Sequence, residues 1–305
     1  MEEPLVSAIL PVFDRAGSVA RAIESVLAQT YQPIELILVD DGSTDGTAEV
    51  LERYRDRARL LRQDNRGAYA ARNLALRHAS GELVAFIDSD DAWLPDKLER
   101  QVPLMRPGVG LVYGDIDILT APDDAAARAT RTGFEMVRPC RGAVLECFAR
   151  GNFVPTCTAL VRRSALEEIG GFSEESRISA DYLAWFRIAR RHRFDFVDAP
   201  VALYTRHRAG ISNDLGRSLA ARIALFRSER ERTADPATRR VLDRLLFNLG
   251  LHLALAAIRG RARSVERPLR LAREAVATMD LGRALWSTAT FAANQIKLRA
   301  GRFLP

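Results

Sequence analysis

The sequence predicts an α/β protein, a mostly parallel sheet flanked by helices, followed by a region built of helices alone. Three observations carry that reading. Short apolar runs alternate with helical patterns through the N-terminal part of the chain. The second and fourth of these runs end in acidic clusters, Asp40-Asp41 and Asp88-Ser89-Asp90-Asp91. Beyond Leu215 the strand-like runs stop.

Val6–Val12 is continuously apolar apart from Ser7 and fits a strand buried on both faces. Ser18 then precedes a helix whose apolar residues Val19, Ile23, Val26 and Leu27 share one face. Ile34–Val39 is a second buried strand, broken by Asp40-Asp41-Gly42-Ser43. A helix from about Thr47 to Tyr54 and a short strand at Arg59–Leu61 follow, and Ala68–His78 reads as a helix with Ala71, Leu74 and Ala75 on one side. Leu83–Ile87 is the fourth strand. Leu94-Pro95-Asp96 opens a helix to about Met105, with a strand at Gly110–Tyr113 after it.

Thr120–Arg141 is polar and Arg-rich and reads as a long loop or an excursion from the sheet. Asn152–Val161 is expected as a strand, and Ser164–Ile169 as a helix stopped by Gly170-Gly171. Ser179 is expected to cap a helix to about Arg193, before a strand at Phe194–Val197. In the helical region, Asp235-Pro236 is a cap followed by a first-turn proline, and Pro268 opens a further helix.

With 48% hydrophobic and 28% charged residues among 305, the chain can bury one large core or two smaller ones, which excludes disorder for most of it. The net charge of +6 resides in residues 260–305, where nine Lys or Arg face three Asp or Glu. Basicity is thus a property of one segment, and no nucleic-acid partner is expected. Cys140, Cys147 and Cys157 form a sparse, odd set without a C-x-x-C pair, which predicts a reducing compartment and neither a disulfide nor a zinc framework. Leu5–Phe13 lacks the basic flank and small-residue site of a signal peptide. The longest apolar candidate, Leu245–Ile258, contains Asn248 and His252 and falls short of the ~18 residues a span needs, so an integral membrane protein is not expected.

A parallel sheet binds ligands at the carboxyl ends of its strands, where both acidic clusters fall. Asp41 in Asp40-Asp41-Gly42-Ser43-Thr44-Asp45-Gly46 can accept hydrogen bonds from a base or ribose, although a strand-to-helix turn favours the same residue types. Asp88, Asp90 and Asp91 repel one another unless a cation or donors neutralise them, and they suit Mg2+ or Mn2+ better than they suit a plain turn. Asp181 sits in a helix's first turn, where periodicity alone assigns it to the helix dipole. His207 has no metal-ligand spacing around it and by itself reads as structural. There is no G-x-x-x-x-G-K and no H-E-x-x-H, and Gly108-x-Gly110 precedes a strand instead of following one.

As a set, the residues of positions 5–213 resemble the family 2 glycosyltransferases and their GT-A fold. The resemblance is carried by Leu10-Pro11-Val12-Phe13, Ser25–Tyr31, Val39–Thr47, Asn65-Arg66-Gly67, Ala71-Arg72-Asn73, Asp88-Ser89-Asp90 and Gly170-Gly171-Phe172. It implies that Pro11 and Phe13 line the base pocket and that Asp41 accepts from a pyrimidine. Arg72 would lie near the nucleotide, Asp88 near the ribose, and Asp90 on the metal. Asp181 falls at the place of the general base, while Tyr204, His207 and Ser212 match a loop that closes near the diphosphate. Two positions depart from the pattern: Ala180 stands where Glu is common, and Thr205 where Arg is common, with Arg206 one place on.

The resemblance implies a catalytic domain over 1–215, nucleotide-binding to about 118 and acceptor-binding from 119, then a basic helical region over 216–305. It further implies inverting transfer from a UDP- or dTDP-sugar, with Mg2+ or Mn2+, to a glycan or lipid-linked acceptor of the cell envelope. The expected location is the cytoplasm, at the inner face of the cell membrane. Arg261, Arg263, Arg267, Arg270 and Arg273 beside Leu269, Leu271 and Val276 are expected to rest on an anionic membrane surface, unless they only cap the catalytic domain. Two other functions compete. A sugar-phosphate nucleotidyltransferase wants a Gly-rich loop after the first strand, where only Gly17 is found, and a non-catalytic nucleotide binder has no use for Asp181.

Overall fold

The computed structural model describes residues 3–119, 128–205, 214–262, 265 and 268–276. The chain divides into two compact units, Met1–Val144 with Asn152–Arg208, and Leu145–Gly151 with Ala209–Pro305.

The first unit opens with β1 (Val6–Val12), α1 (Val19–Leu27), β2 (Ile34–Asp40), α2 (Thr47–Glu52), β3 (Arg59–Arg62), α3 (Ala68–Leu76) and β4 (Leu83–Phe86). All of β1 is buried, as its unbroken apolar run requires, and α1 covers the sheet with Val19, Ala22, Ile23 and Val26. It continues through β5 (Ala92–Trp93), α4 (Lys97–Gln101), β6 (Val109–Leu119), β7 (Arg128–Thr132), α5 (Gly133–Met136), β8 (Leu160–Arg162), α6 (Arg163–Glu168), α7 (Ala180–Ala189) and β9 (Arg193–Thr205). Among the described residues the strands form one sheet in the order β3-β2-β1-β4-β8-β6-β9-β5, with β7 paired to β6.

β1, β2, β3 and β4 are mutually parallel, and β6 is parallel to β9. β8 runs antiparallel to both its neighbours, as do β5 to β9 and β7 to β6, so the sheet is mixed. The mostly parallel expectation describes the N-terminal strands, where helical crossovers return the chain in one direction. Past them the chain enters β8 from a 3-10 turn, Thr156–Thr158, with no crossover helix to restore that direction.

Several elements differ from their expected bounds. The strand expected at Gly110–Tyr113 runs to Leu119, through the buried Asp115, whose Oδ1 accepts the Ile116 and Phe134 N–H groups at 2.8 Å. A satisfied buried carboxylate breaks an apolar run without ending the strand. The one expected at Phe194–Val197 extends from Arg193 to Thr205 across Asp195, Asp198 and Pro200. Of the strand expected at Asn152–Val161, only the part from Leu160 forms, and the expected loop at Thr120–Arg141 contains β7 and α5.

The second unit contains α8 (Leu215–Arg232), α9 (Pro236–Ile258) and α10 (Pro268–Val276). Asp235 caps α9 by accepting Ala237 N–H at 3.3 Å and Thr238 N–H at 2.8 Å, ahead of Pro236. The apolar segment expected to end short is continuous with this cap, so α9 spans 23 residues and is long and apolar enough to cross a membrane by length and composition. Half of that stretch is buried inside the protein. Cys157 is free and buried, whereas Cys140 and Cys147 are disulfide-bonded, contrary to the unbridged set expected from their spacing.

Candidate active site

Because β1, β2 and β4 are parallel neighbours, with Val12 opposite Asp40 and Ile9 opposite Phe86, their carboxyl ends open on one edge of the sheet. Pro11 is buried in β1 opposite Val39, and Phe13, just beyond the strand, is 38% exposed. The turns that follow β1 and β2 are stitched together. Asp14, at φ +48°, accepts Thr44 N–H on Oδ1 at 2.8 Å, and its own N–H donates to Ser43 Oγ at 3.1 Å. Arg15 N–H donates to Thr47 Oγ1 at 2.8 Å.

Asp41 is buried, and its carboxylate faces the chain that leads into α3. Oδ1 accepts from Gln63 Nε2 at 2.7 Å and Arg66 N at 2.8 Å, and Oδ2 from Gly67 N at 2.8 Å. An ionised carboxylate has about four acceptor positions, so these bonds fix the segment and leave Asp41 room for little more than one further donor. Gly67, at φ +95°, occupies the cap position of α3 in a conformation that a side chain would strain.

α3 then carries three side chains into the site. Tyr69 donates its hydroxyl to Asp181 Oδ1 at 2.9 Å. One turn on, the buried Arg72 is bonded to Asp88, with its guanidinium 5.1 Å from the Tyr69 ring centre and 5.9 Å from that of Phe172. Asn73 holds the Gly170-Gly171-Phe172 turn, donating Nδ2 to Phe172 O and accepting Phe172 N–H on Oδ1, both at 2.8 Å. Phe172 itself is buried and stacks on Tyr69 with ring centres 5.8 Å apart.

The acidic loop after β4 is divided in its duties. Burial raises the Asp88 carboxyl above its ordinary range; Arg72 opposes this, and the charges of Asp90 and Asp181 add to it. Asp91 is buried more deeply, and burial followed by the Asp88 and Asp90 charges holds it well above the usual range. Its Oδ1 accepts Thr205 N–H at 2.9 Å, tying the loop to the end of β9. Arg21 of α1 reinforces that tie by donating Nη2 to Asp90 O at 2.5 Å and to Thr205 Oγ1 at 2.8 Å. Asp90 keeps a side chain 22% exposed, with Oδ2 4.0 Å from Arg15 Nη2.

The donor chemistry fits a hard cation, since the acidic loop after β4 offers carboxylate oxygens. Among the described residues no group of three or more His, Cys, Asp or Glu makes a ready cage. Mg2+ is commonly held by one or two carboxylates and the phosphates of its ligand, which suits Asp90, with Asp88 already committed to Arg72.

Asp181 stands in the first turn of α7. The preceding Ser179 adopts a left-handed conformation, φ +61°, and makes no side-chain cap bond, unlike the cap expected. Thr156 Oγ1 donates to Asp181 Oδ2 at 2.7 Å, so both carboxylate oxygens are engaged by hydroxyls. Burial, then the Asp181 charge, pushes the Tyr69 phenol well above its ordinary value, and it remains a donor.

Asp41, Asp88 and Asp181 are therefore gathered by α3, with Asp90 in the same loop as Asp88. His207 and Ser212 lie outside the described residues. Tyr69, Thr156, Arg15 and Arg21 escaped sequence reasoning. The first had a usable signal, because Tyr69 and Arg72 are spaced to share a helix face. Thr156 and Arg21 had none.

Residues 7–170 match the family described as Glycosyl transferase family 2. An uncharacterised glycosyltransferase of Nostoc sp. is 35% identical over 170 residues, covering 54% of this chain and 52% of that protein. The Escherichia coli UDP-Glc:alpha-D-GlcNAc-diphosphoundecaprenol beta-1,3-glucosyltransferase WfgD is 42% identical over 122 residues, 39% of this chain and 48% of that one. The chain thus aligns with about half the length of these curated relatives. Among solved structures, S. aureus TarS is similar with a TM-score of 0.64 at 18% identity, over 92% of this chain and 50% of TarS. A mannosyltransferase from Pyrobaculum calidifontis in complex with GDP-Man and Mn2+ gives 0.62 at 24% identity, over 97% of this chain and 87% of that one. The shared fold is the helix-flanked mixed sheet of the GT-A glycosyltransferases.

Proposed function

The chain belongs to glycosyl transferase family 2, and from that premise we propose that it moves a sugar from a UDP- or dTDP-sugar to an acceptor hydroxyl with inversion, in the synthesis of a cell-envelope glycan. The observation that carries the reading is the gathering of Asp41, Asp88 and Asp181 on α3, with Asp90 beside Asp88, at one edge of the sheet. A donor of this kind is supported by the UDP-Glc of the Escherichia coli beta-1,3-glucosyltransferase and by the UDP bound to TarS.

In this reading Phe13, with its exposed face, and Pro11 border the base, and the spare acceptor capacity of Asp41 meets it. Arg72 and Asp88 act as a fixed pair beside the ribose and diphosphate, and by the family resemblance His207 would contact the diphosphate. Asp90 would hold Mg2+ or Mn2+, whose charge, when bound, offsets that of the departing diphosphate. The Asp181 carboxylate takes the proton of the acceptor hydroxyl as that oxygen bonds to the anomeric carbon. The bond from that carbon to the diphosphate oxygen breaks with its electron pair, and no glycosyl-enzyme forms.

The acceptor is proposed to be lipid-linked or a growing glycan, in line with the diphosphoundecaprenol acceptor of the Escherichia coli relative. Contact with the membrane is assigned to the basic C-terminal helices, at the cytoplasmic face. Leu269 is 56% exposed beside the exposed Arg270 and Arg273, which supports that contact. Sedimentation with phosphatidylglycerol but not phosphatidylcholine vesicles is the expected behaviour.

Incubation with UDP-glucose, UDP-N-acetylglucosamine, dTDP-glucose or GDP-mannose and Mn2+, with detection of free nucleoside diphosphate, tests the activity. Release of UDP or dTDP supports the reading. Pyrophosphate chemistry would favour a nucleotidyltransferase instead, and binding without release a non-catalytic role.

A further inference from the structure

Asp181 is held at both ends of its carboxylate by elements remote from each other in sequence. Tyr69, on α3, donates to Oδ1 at 2.9 Å, and Thr156, in the 3-10 turn before β8, donates to Oδ2 at 2.7 Å. One donor would leave the carboxylate free to swing about its terminal torsion, whereas two donors on opposite oxygens set its plane. Each oxygen retains a second lone-pair position, so an acceptor hydroxyl can still approach.

The chemistry of the donors matters as much as their number. A guanidinium bonded to a base carboxylate stabilises its charged form strongly and opposes proton uptake. Arg72 lies close enough to feel the charge of Asp181, yet it spends its direct bond on Asp88. The two groups that donate to Asp181, Tyr69 and Thr156, are neutral hydroxyls, which orient it without supplying a full counter-charge. Tyr69 is itself immobilised, stacked on Phe172 with the Arg72 guanidinium over its ring. Its phenol stays protonated, so it can only donate when the carboxylate is charged.

We infer that Tyr69 and Thr156 are positioning residues for transfer: they aim the Asp181 carboxylate at the acceptor hydroxyl. Through Tyr69 and Arg72, α3 couples that aim to the Asp88 side of the site. The inference rests on Asp181 being the base, as proposed above.

The test compares Tyr69→Phe, Thr156→Val, Thr156→Ser and Asp181→Asn with the wild type. It measures nucleoside diphosphate release from UDP-glucose, UDP-N-acetylglucosamine, dTDP-glucose and GDP-mannose, with Mn2+ and water as acceptor. Tyr69→Phe and Thr156→Val are each expected to lower kcat about 10-fold or more at unchanged donor KM, since small misplacements of a reacting group cost that much. Thr156→Ser keeps the hydroxyl and should retain most of the rate. Wild-type kcat in both Tyr69→Phe and Thr156→Val, with Asp181→Asn inactive, overturns this inference and leaves the base reading standing. A raised KM at unchanged kcat overturns it too, because the two residues would then serve donor binding. Full activity in Asp181→Asn, or a wild type silent with every donor, removes the base reading and the inference together. Should Tyr69→Phe not fold, the Thr156→Val and Thr156→Ser pair decides alone.

Discussion

The backbone N–H of Gly67 donates to Asp41 Oδ2 at 2.8 Å, so the acid that follows β2 also caps the helix on which Tyr69 and Arg72 stand. A negative charge at a helix N-terminus is favoured by the exposed N–H groups there, and this one is buried. The contact makes the start of α3 a common fixture for three carboxylates that come from three different parts of the chain.

Gly42 is where that fixture is most easily broken. It lies at φ +81°, and a Cβ there would sit 2.9 Å from Asn65 N, a backbone atom with little room to move. Gly42→Ala should push Asn65–Gly67 off Asp41 and cost about 1–3 kcal/mol. Urea unfolding and UDP titration should both register the loss; a variant as stable as the wild type would show that the turn adapts.

Arg72→Met removes the direct partner of Asp88. Loss of one member of a fully buried ion pair costs about 3–5 kcal/mol. The Asp88 side chain is 36% exposed, so water takes over part of the role and a loss of about 1–3 kcal/mol is expected. Denaturant unfolding measures it, and donor binding should weaken in parallel because Asp88 is released.

Chelation should abolish nucleoside diphosphate release, and Mn2+ or Mg2+ should restore it. Asp90→Ala is expected to lower the rate about 100-fold, the scale of losing one electrostatic stabiliser of the leaving group. Calorimetric donor titrations with and without metal check the assignment. Equal donor affinity in both conditions in the wild type would argue against a metal held by Asp90.

Lys97 is expected to give stability a distinctive pH dependence. It is fully buried, 2.6 Å from Gln101 Oε1 and 4.5 Å from the Trp93 ring centre. Burial pushes its ammonium from 10.5 to about 7. Between those two values the unfolded chain binds the proton that the folded chain has lost, so stability rises with pH, by at most ~1.4 kcal/mol per unit. Below about pH 7 both states carry it and the cost of the buried charge is at its largest. Lys97→Met should flatten the dependence of unfolding free energy on pH between 7 and 10. An unaltered slope would mean that another group titrates.

The mixture of legible and illegible features has particular causes. β1 and β2 were readable because a strand buried on both faces must be apolar throughout. α9 was announced by Asp235 and Pro236, since an acceptor and a missing N–H answer the unsatisfied donors of a helix start. β6 was read short because Asp115 interrupts it, and only its partners reveal that a buried carboxylate is satisfied; β9 was read short because Asp198 and Pro200 follow Val197, and both usually end a strand. The 3-10 turn at Thr156 was mistaken for strand because its β-branched residues favour a strand by local propensity, while the Thr156 hydroxyl is in fact spent on Asp181.

By itself the sequence determined the alternation of strand and helix, the acidic character of two strand ends and the change to helices after Leu215. Those follow from periodicity and turn chemistry, which act over a few residues. The tertiary structure alone decided that Tyr69 reaches Asp181 across 112 positions, that Asp91 holds Thr205 across 114, and that Arg72 pairs with Asp88. Such contacts depend on strand order, and a strand's own residues specify which faces it buries but not which strands lie beside it.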